Sequence, residues 1–173
     1  MSTRSYIFTE TDKGYQGIYV HFDGYFEGVG TTLQASYTDQ QAVNQLIKLG
    51  DLSSLGKQLA PCEAVKRYGF GAMFNQEYLA LAPEEQARLR EDYFSGQYTI
   101  AYHRDRDEEL NITEYPNALA LMNDLKQGYE MIANIYLFQN GKWFYFNRNS
   151  SKWCALEPRL KQITKQNEQE EIA

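Results

Sequence analysis

The sequence is poor in the residues that most often announce a chemistry. Only 2 cysteines, Cys62 and Cys154, and 2 histidines, His21 and His103, occur in 173 residues. Cysteines this few and this far apart exclude the disulfide framework of a small secreted domain and point to the cytoplasm. A zinc centre would have to draw on these four side chains, and none of them stands at close paired ligand spacing. No metal or other cofactor is expected. Basic excess is missing as well, since the formal net charge is −6. A general nucleic-acid binder needs a basic footprint, so direct binding of DNA or RNA is not expected, whereas a basic partner protein is allowed. No apolar run approaches a membrane span, so no membrane partner is expected. Met1-Ser2-Thr3-Arg4-Ser5 leads into a strand-like run rather than a signal-peptide core. No linker, internal repeat or low-complexity block divides the chain.

What is present is apolar and aromatic surface. Hydrophobic residues make up 43% of the chain, with 14 Tyr against 2 Trp, enough for a folded core. Tyrosine joins apolar area to a polar tip, which suits half-buried strands and wet binding surfaces alike.

Taken in order, residues 4–9 and 16–23 read as strands, joined by the turn chemistry of Thr11-Asp12-Lys13-Gly14 into an antiparallel hairpin. Val29, Leu33 and Tyr37 recur at helical spacing. Thr38 with Gln41 three residues on predicts a capping box. The helix it opens has the stripe Val43, Leu46 and Ile47 and is stopped by Gly50. Residues 51–56 read as a packed, turn-rich connector. Residues 57–81 carry no single periodicity, with a helical turn or two from Pro61 and a glycine–aromatic loop at 68–74. Pro83 at the first helical position, followed by Glu84 and Glu85, opens a helix to about Tyr93, with Ala87, Leu89 and Phe94 facing inward. Residues 97–103 alternate as a strand, and Arg104 to Glu109 form a solvated mixed-charge turn. A helix holding Ala118, Leu121, Met122 and Leu125 closes at Gly128. Residues 132–138 and 142–146 flank Asn140-Gly141, the preferred pair for a type I′ hairpin. Trp153, Leu156, Leu160 and Ile163 predict a C-terminal helix. This order predicts an α+β fold: a single domain over 1–165, its mostly antiparallel sheet carrying packed helices, with a polar, frayed tail at 166–173.

Chemistry is most naturally sought between Gly17 and Leu33, a strand, a glycine-punctuated turn and a helix start. Strand alternation places Tyr19, His21 and Asp23 on one face. His21 and Asp23 can be two metal ligands, or a general base with its orienting carboxylate, while the Gly28-Val29-Gly30 turn can offer N–H groups to an anion. The same residues also read as structure: a hydrogen-bonded histidine in a tyrosine-rich sheet, a capping aspartate and permissive glycines. The acids Glu84, Glu85, Glu91, Asp92, Asp105, Asp107, Glu108 and Glu109 are interrupted by Arg88, Arg90, Arg104 and Arg106, which favours a solvated face over phosphate mimicry. Tyr6, Tyr19, Tyr98, Tyr102, Tyr136, Trp143 and Tyr145 form an aromatic platform if helices leave one sheet face open.

The run Ile18-Tyr19-Val20-His21-Phe22-Asp23-Gly24-Tyr25, continued by Gly28-Val29-Gly30 and Leu33, resembles a small family of bacteriophage and mobile-element proteins. Leu49-Gly50-Asp51-Leu52-Ser53-Ser54-Leu55 is similar to that family's next segment, and the likeness covers about the first third of the chain. The resemblance implies an accessory product acting inside an infected or plasmid-bearing bacterium, a setting in which small acidic proteins often inhibit host defence in the manner of anti-CRISPR proteins. The expectation is a non-enzymatic protein that inhibits or modulates a host nucleic-acid-handling or defence complex. Its partner would be a host protein or ribonucleoprotein, with a homodimer also open. Its binding residues would be Tyr19, His21, Asp23, Tyr25, Glu27, Gly28 and Gly30. The alternative is a small enzyme or ligand-binding protein using His21 and Asp23 with the Gly28–Gly30 turn.

Overall fold

The computed structural model describes residues 2–172. Strands β1 (Ser5–Thr11) and β2 (Gly14–Val20) form the first hairpin, with Ser5 opposite Val20 and Thr11 opposite Gly14. A π-helical turn (Phe26–Gly30) runs into α1 (Thr31–Ser36), followed by α2 (Gln40–Ile47) and the short strand β3 (Leu52–Ser54). A helical lobe comes next: α3 (Glu63–Tyr68), a 3₁₀ turn (Ala72–Phe74), α4 (Gln76–Leu79) and α5 (Pro83–Phe94). The chain returns through β4 (Ile100–Ala101), α6 (Tyr102–Arg106), β5 (Thr113–Tyr115) and α7 (Ala118–Gln127). It ends in β6 (Asn134–Gln139), β7 (Lys142–Asn147), β8 (Lys152–Ala155) and α8 (Leu156–Ile172).

Among the described residues, the eight strands join one sheet in the order β4-β3-β2-β1-β6-β7-β8, with β5 also beside β2. The β1–β6 and β2–β3 pairs are parallel and the others antiparallel, so the α+β class holds with a parallel seam at the centre. Alternation sorts the side chains by face. Ile7, Ile18, Val20, Leu52, Tyr136, Phe138 and Trp143 meet Val29, Leu33, Val43, Leu46, Ile47 and Leu156 from the π turn, α1, α2 and α8 in one dry core. On the other face Phe8, Tyr15, Ile135, Leu137 and Phe146 meet Leu121 and Leu125 of α7, with Tyr6, Tyr19, Tyr115 and Trp153 only half-buried. The lobe has a third core of its own, around Cys62, Val65, Tyr78, Leu89 and Ile100.

The hairpin tips are decided locally. Asn140 and Gly141 take φ 52° and 74°, the left-handed pair a type I′ turn requires. Gly50, at φ 70°, stops α2 as expected. The cap of α2 lies one residue later than the spacing predicts: Asp39, not Thr38, accepts the Ala42 N–H at 2.8 Å from an extended backbone.

Larger departures come from partners distant in sequence. The connector at 51–56 contains strand β3, because Leu52 aligns with both Val20 and Ala101. The strand expected over 97–103 shrinks to two residues. The Asp105 carboxylate accepts the Ala101 N–H at 2.8 Å and draws the chain into α6. The Arg104–Glu109 segment is exposed as expected except at half-buried Asp105, but its first half is helical rather than a turn. Arg104 donates to Asp105 and to the carbonyls of Leu59 and Thr99 at 2.6 and 2.7 Å, clamping the neck of the lobe. On α5 Leu89 is buried and Tyr93 packs half-buried against the same core, whereas Ala87 and Phe94 are exposed. Trp153 lies on β8 opposite Phe146, so the last helix begins at Leu156. That helix is continuous to Ile172, and Ala173 of the expected frayed tail lies outside the described residues.

Candidate functional site

The stretch from Gly17 to Leu33 is a tightly bonded corner. Past Val20 the ladder continues for two residues, with the His21 and Phe22 N–H groups donating to Leu52 and Ser53 carbonyls at 3.0 Å. Asp23 then turns left-handed at φ 59°. Gly24 donates to the Thr3 carbonyl at 2.7 Å, and its own carbonyl accepts from both Tyr136 Oη and Asn134 Nδ2 at 3.0 Å. Gly28 passes so close that an added Cβ would stand 2.2 Å from the Asp23 carbonyl oxygen, a contact only glycine allows.

This corner consumes the groups an anion would need. The N–H groups of Gly28, Val29 and Gly30 donate to Tyr25, Asp23 and Tyr25 carbonyls at 3.2, 2.8 and 3.3 Å. The glycine turn therefore offers none of these donors to a ligand. Nor does the structure join His21 to Asp23 by a hydrogen bond. The partner of His21 Nδ1 is the Tyr19 hydroxyl at 2.8 Å, while Asp23 is exposed on the turn. Among the residues expected to bind, Tyr25 and Glu27 share the exposed side of the turn with Asp23, and the Tyr25 phenol is pushed up chiefly by the Asp23 carboxylate, then by burial and Glu27. Gly30 is buried against Tyr136.

Tyr19 and His21 belong to a different neighbourhood, a row of rings on the α7 side of the sheet. His21 meets Phe22 edge-on at 4.5 Å, and Tyr19 meets Tyr6 at 5.7 Å. Tyr6 in turn meets Phe8 at 5.7 Å and Tyr129 at 4.8 Å. Burial, with Tyr129 and Asp51 adding, pushes the Tyr6 phenol up to about 12. The Tyr115 hydroxyl donates to Asp124 at 2.6 Å and shares a 2.8 Å bond with Tyr129. Asp51 accepts the Tyr19 N–H at 2.8 Å and is held by Asn111 at 2.7 Å. Burial lowers the His21 pKa, and the Arg4 charge adds to it. The aromatic platform read from the sequence is therefore divided. Tyr136, Trp143 and Tyr145 lie under the helices, Tyr98 and Tyr102 in the neck of the lobe, and only Tyr6 and Tyr19 on the less covered face.

Among the described residues, no three His, Cys, Asp or Glu side chains gather as a metal-ligand set. Burial pushes the Cys62 thiol up, the opposite of what a nucleophile needs. An open groove of about 490 Å³ lies between the β1–β2 turn and β5, lined in part by Tyr15, Gln16, Glu114 and Tyr115. Glu85 of the mixed-charge face and Glu63 of α3 are taken up by Arg67 and Arg88, in surface ion pairs worth about 0–1 kcal/mol each.

Sequence reasoning missed two features. Phe74, Leu79 and Phe94 stand 88%, 55% and 64% exposed on the lobe. Periodicity had no hold on the first two and placed the third inward. Arg4 is read from the sequence only as the first residue of a strand, although extending the hairpin register by one pair sets it opposite His21. No helix among the described residues is long and apolar enough to cross a membrane. Comparison of the chain with protein-family models, with curated proteins and with solved structures finds no match.

Proposed function

We propose that this chain is a non-enzymatic binding protein of a phage or mobile element, acting in the bacterial cytoplasm. It inhibits or modulates a host nucleic-acid-handling or defence complex, as anti-CRISPR proteins do. The observation that carries the binding role is the lobe. Two phenylalanines and a leucine are held out in water from a body whose own core is already complete without them. Exposed aromatic groups on a stable scaffold are what a protein interface uses as anchors. The cellular setting rests on the motif from Ile18 to Leu33, and the net charge of −6 suits a basic, nucleic-acid-handling partner.

The test is recovery of partners on the tagged chain from bacteria carrying defence systems, with wild type beside F74S/F94S. One stoichiometric nucleic-acid-handling partner, lost in the double variant, is the expected result. Recovery of no such partner across several hosts would overturn the proposal, and so would equal recovery by both proteins.

A further inference from the structure

Arg4 precedes β1 and, continuing the register in which Ser5 faces Val20 and Tyr6 faces Tyr19, stands directly opposite His21. Side chains at such facing positions have Cβ atoms about 5 Å apart. The Arg4 backbone is fixed, its carbonyl accepting the Ala133 N–H at 2.8 Å. Its Nε is buried with no hydrogen-bond partner among the described residues, and no carboxylate pairs with its guanidinium there. A buried donor without an acceptor is unfavourable even where, as at Arg4, the residue as a whole is only half-buried. It is more unusual still in a protein with 23 acidic residues.

The neighbours supply donors rather than acceptors. In the neutral state Tyr19 and His21 bring one O–H and one N–H to their single 2.8 Å bond. Whichever tautomer forms it, one donor of the pair is left over. The carboxylate bonded to this end of β2, Asp51, already accepts from the Tyr19 amide and Asn111. We propose that Arg4, Tyr19 and His21 form an oxyanion subsite at the end of the β1–β2 ladder, which takes a phosphate or carboxylate group. The guanidinium fork matches either planar or tetrahedral oxygens, and the leftover Tyr19–His21 donor completes the set. This site lies on the sheet and is separate from the lobe, so it stands or falls independently of the partner proposed above.

The subsite has a built-in reporter. Arg4 and Tyr19 face His21, with Asp51 behind the Tyr19 amide, and burial together with the Arg4 charge lowers the His21 pKa. A bound anion offsets the Arg4 charge and raises the His21 pKa. The experiment follows the His21 imidazole by NMR in the full chain, with exposed His103 as internal control. Inorganic phosphate and acetate are added in separate arms, with sodium chloride at matched ionic strength in a third. The expected result is a saturable His21 shift with phosphate or acetate, an upward pKa, and no saturation with chloride. R4Q weakens binding about tenfold or more, and R4K, which keeps the charge but loses the fork, falls between. The stronger arm tells whether phosphate or carboxylate is the natural group. Wild type alone decides the question if R4Q fails to fold. Absence of a saturable His21 shift with both anions overturns the subsite, and so does an unchanged affinity in a folded R4Q.

Discussion

The corner from His21 to Leu33 and the helical lobe over residues 57–98 use their unusual residues in opposite ways. In the corner, glycines stand where an added Cβ would strike backbone, and every N–H of the Gly28–Gly30 turn is spent inside the fold. In the lobe the composition is ordinary, yet Phe74, Leu79 and Phe94 remain in water after the lobe's core is filled. The difference teaches that a dense cluster of special residues can be fully used in building a turn. A functional surface is better sought in what is left over once local bonds and packing are satisfied. By that criterion the leftovers include the lobe's exposed apolar groups and, on the sheet, the unpartnered Arg4 Nε.

Mutations can break this comparison from either side. The largest effect is expected from Leu89→Ala, which opens a cavity at the one fully buried position of α5. A loss of about 3 kcal/mol is expected in urea unfolding. A single transition in calorimetry would show that lobe and sheet unfold together through the Arg104 clamp, whereas two transitions would make the lobe a separate unit. Gly28→Ala comes next, since its Cβ would meet a backbone oxygen that cannot move aside. The expected loss is about 2–3 kcal/mol, and a neutral result would mean the corner is less constrained than its contacts imply. Tyr136→Phe removes a buried donor but leaves the Gly24 carbonyl with Asn134. About 1 kcal/mol is expected from that loss. The smallest effect belongs to F74S/F94S, which should lie within about 0.5 kcal/mol of wild type because both rings are already in water. A loss as large as that of Gly28→Ala would show these rings to be structural, and the contrast between the two regions would disappear.

Local chemistry was legible and long-range pairing was not. The Asn140-Gly141 turn needs only its own two residues to adopt positive φ, and the Thr11–Gly14 turn and the Val43, Leu46, Ile47 stripe are equally local. The His21–Asp23 pairing failed because it assumed strand alternation through Asp23, whereas that residue turns left-handed to let Gly24 reach Thr3 and receive Tyr136. Phe94 was read as inward because periodicity says which face is apolar but not where a neighbouring core ends. Leu89 and half-buried Tyr93 meet one, and Phe94 lies past its edge. Strand β3 was invisible as such, since three residues become a strand only when β2 and β4 arrive on either side.

The sequence by itself determined the α+β class, the two hairpins, the stop of α2 and the constrained corner. Each follows from dihedral limits and side-chain periods that act within a few residues. Only the tertiary structure decided what those parts leave free. It gave the glycine turn's donors to neighbouring carbonyls, paired His21 with Tyr19, and left the Arg4 Nε buried without a partner. Burial and pairing are properties of the assembled chain, so surplus groups appear only after folding has taken what it needs.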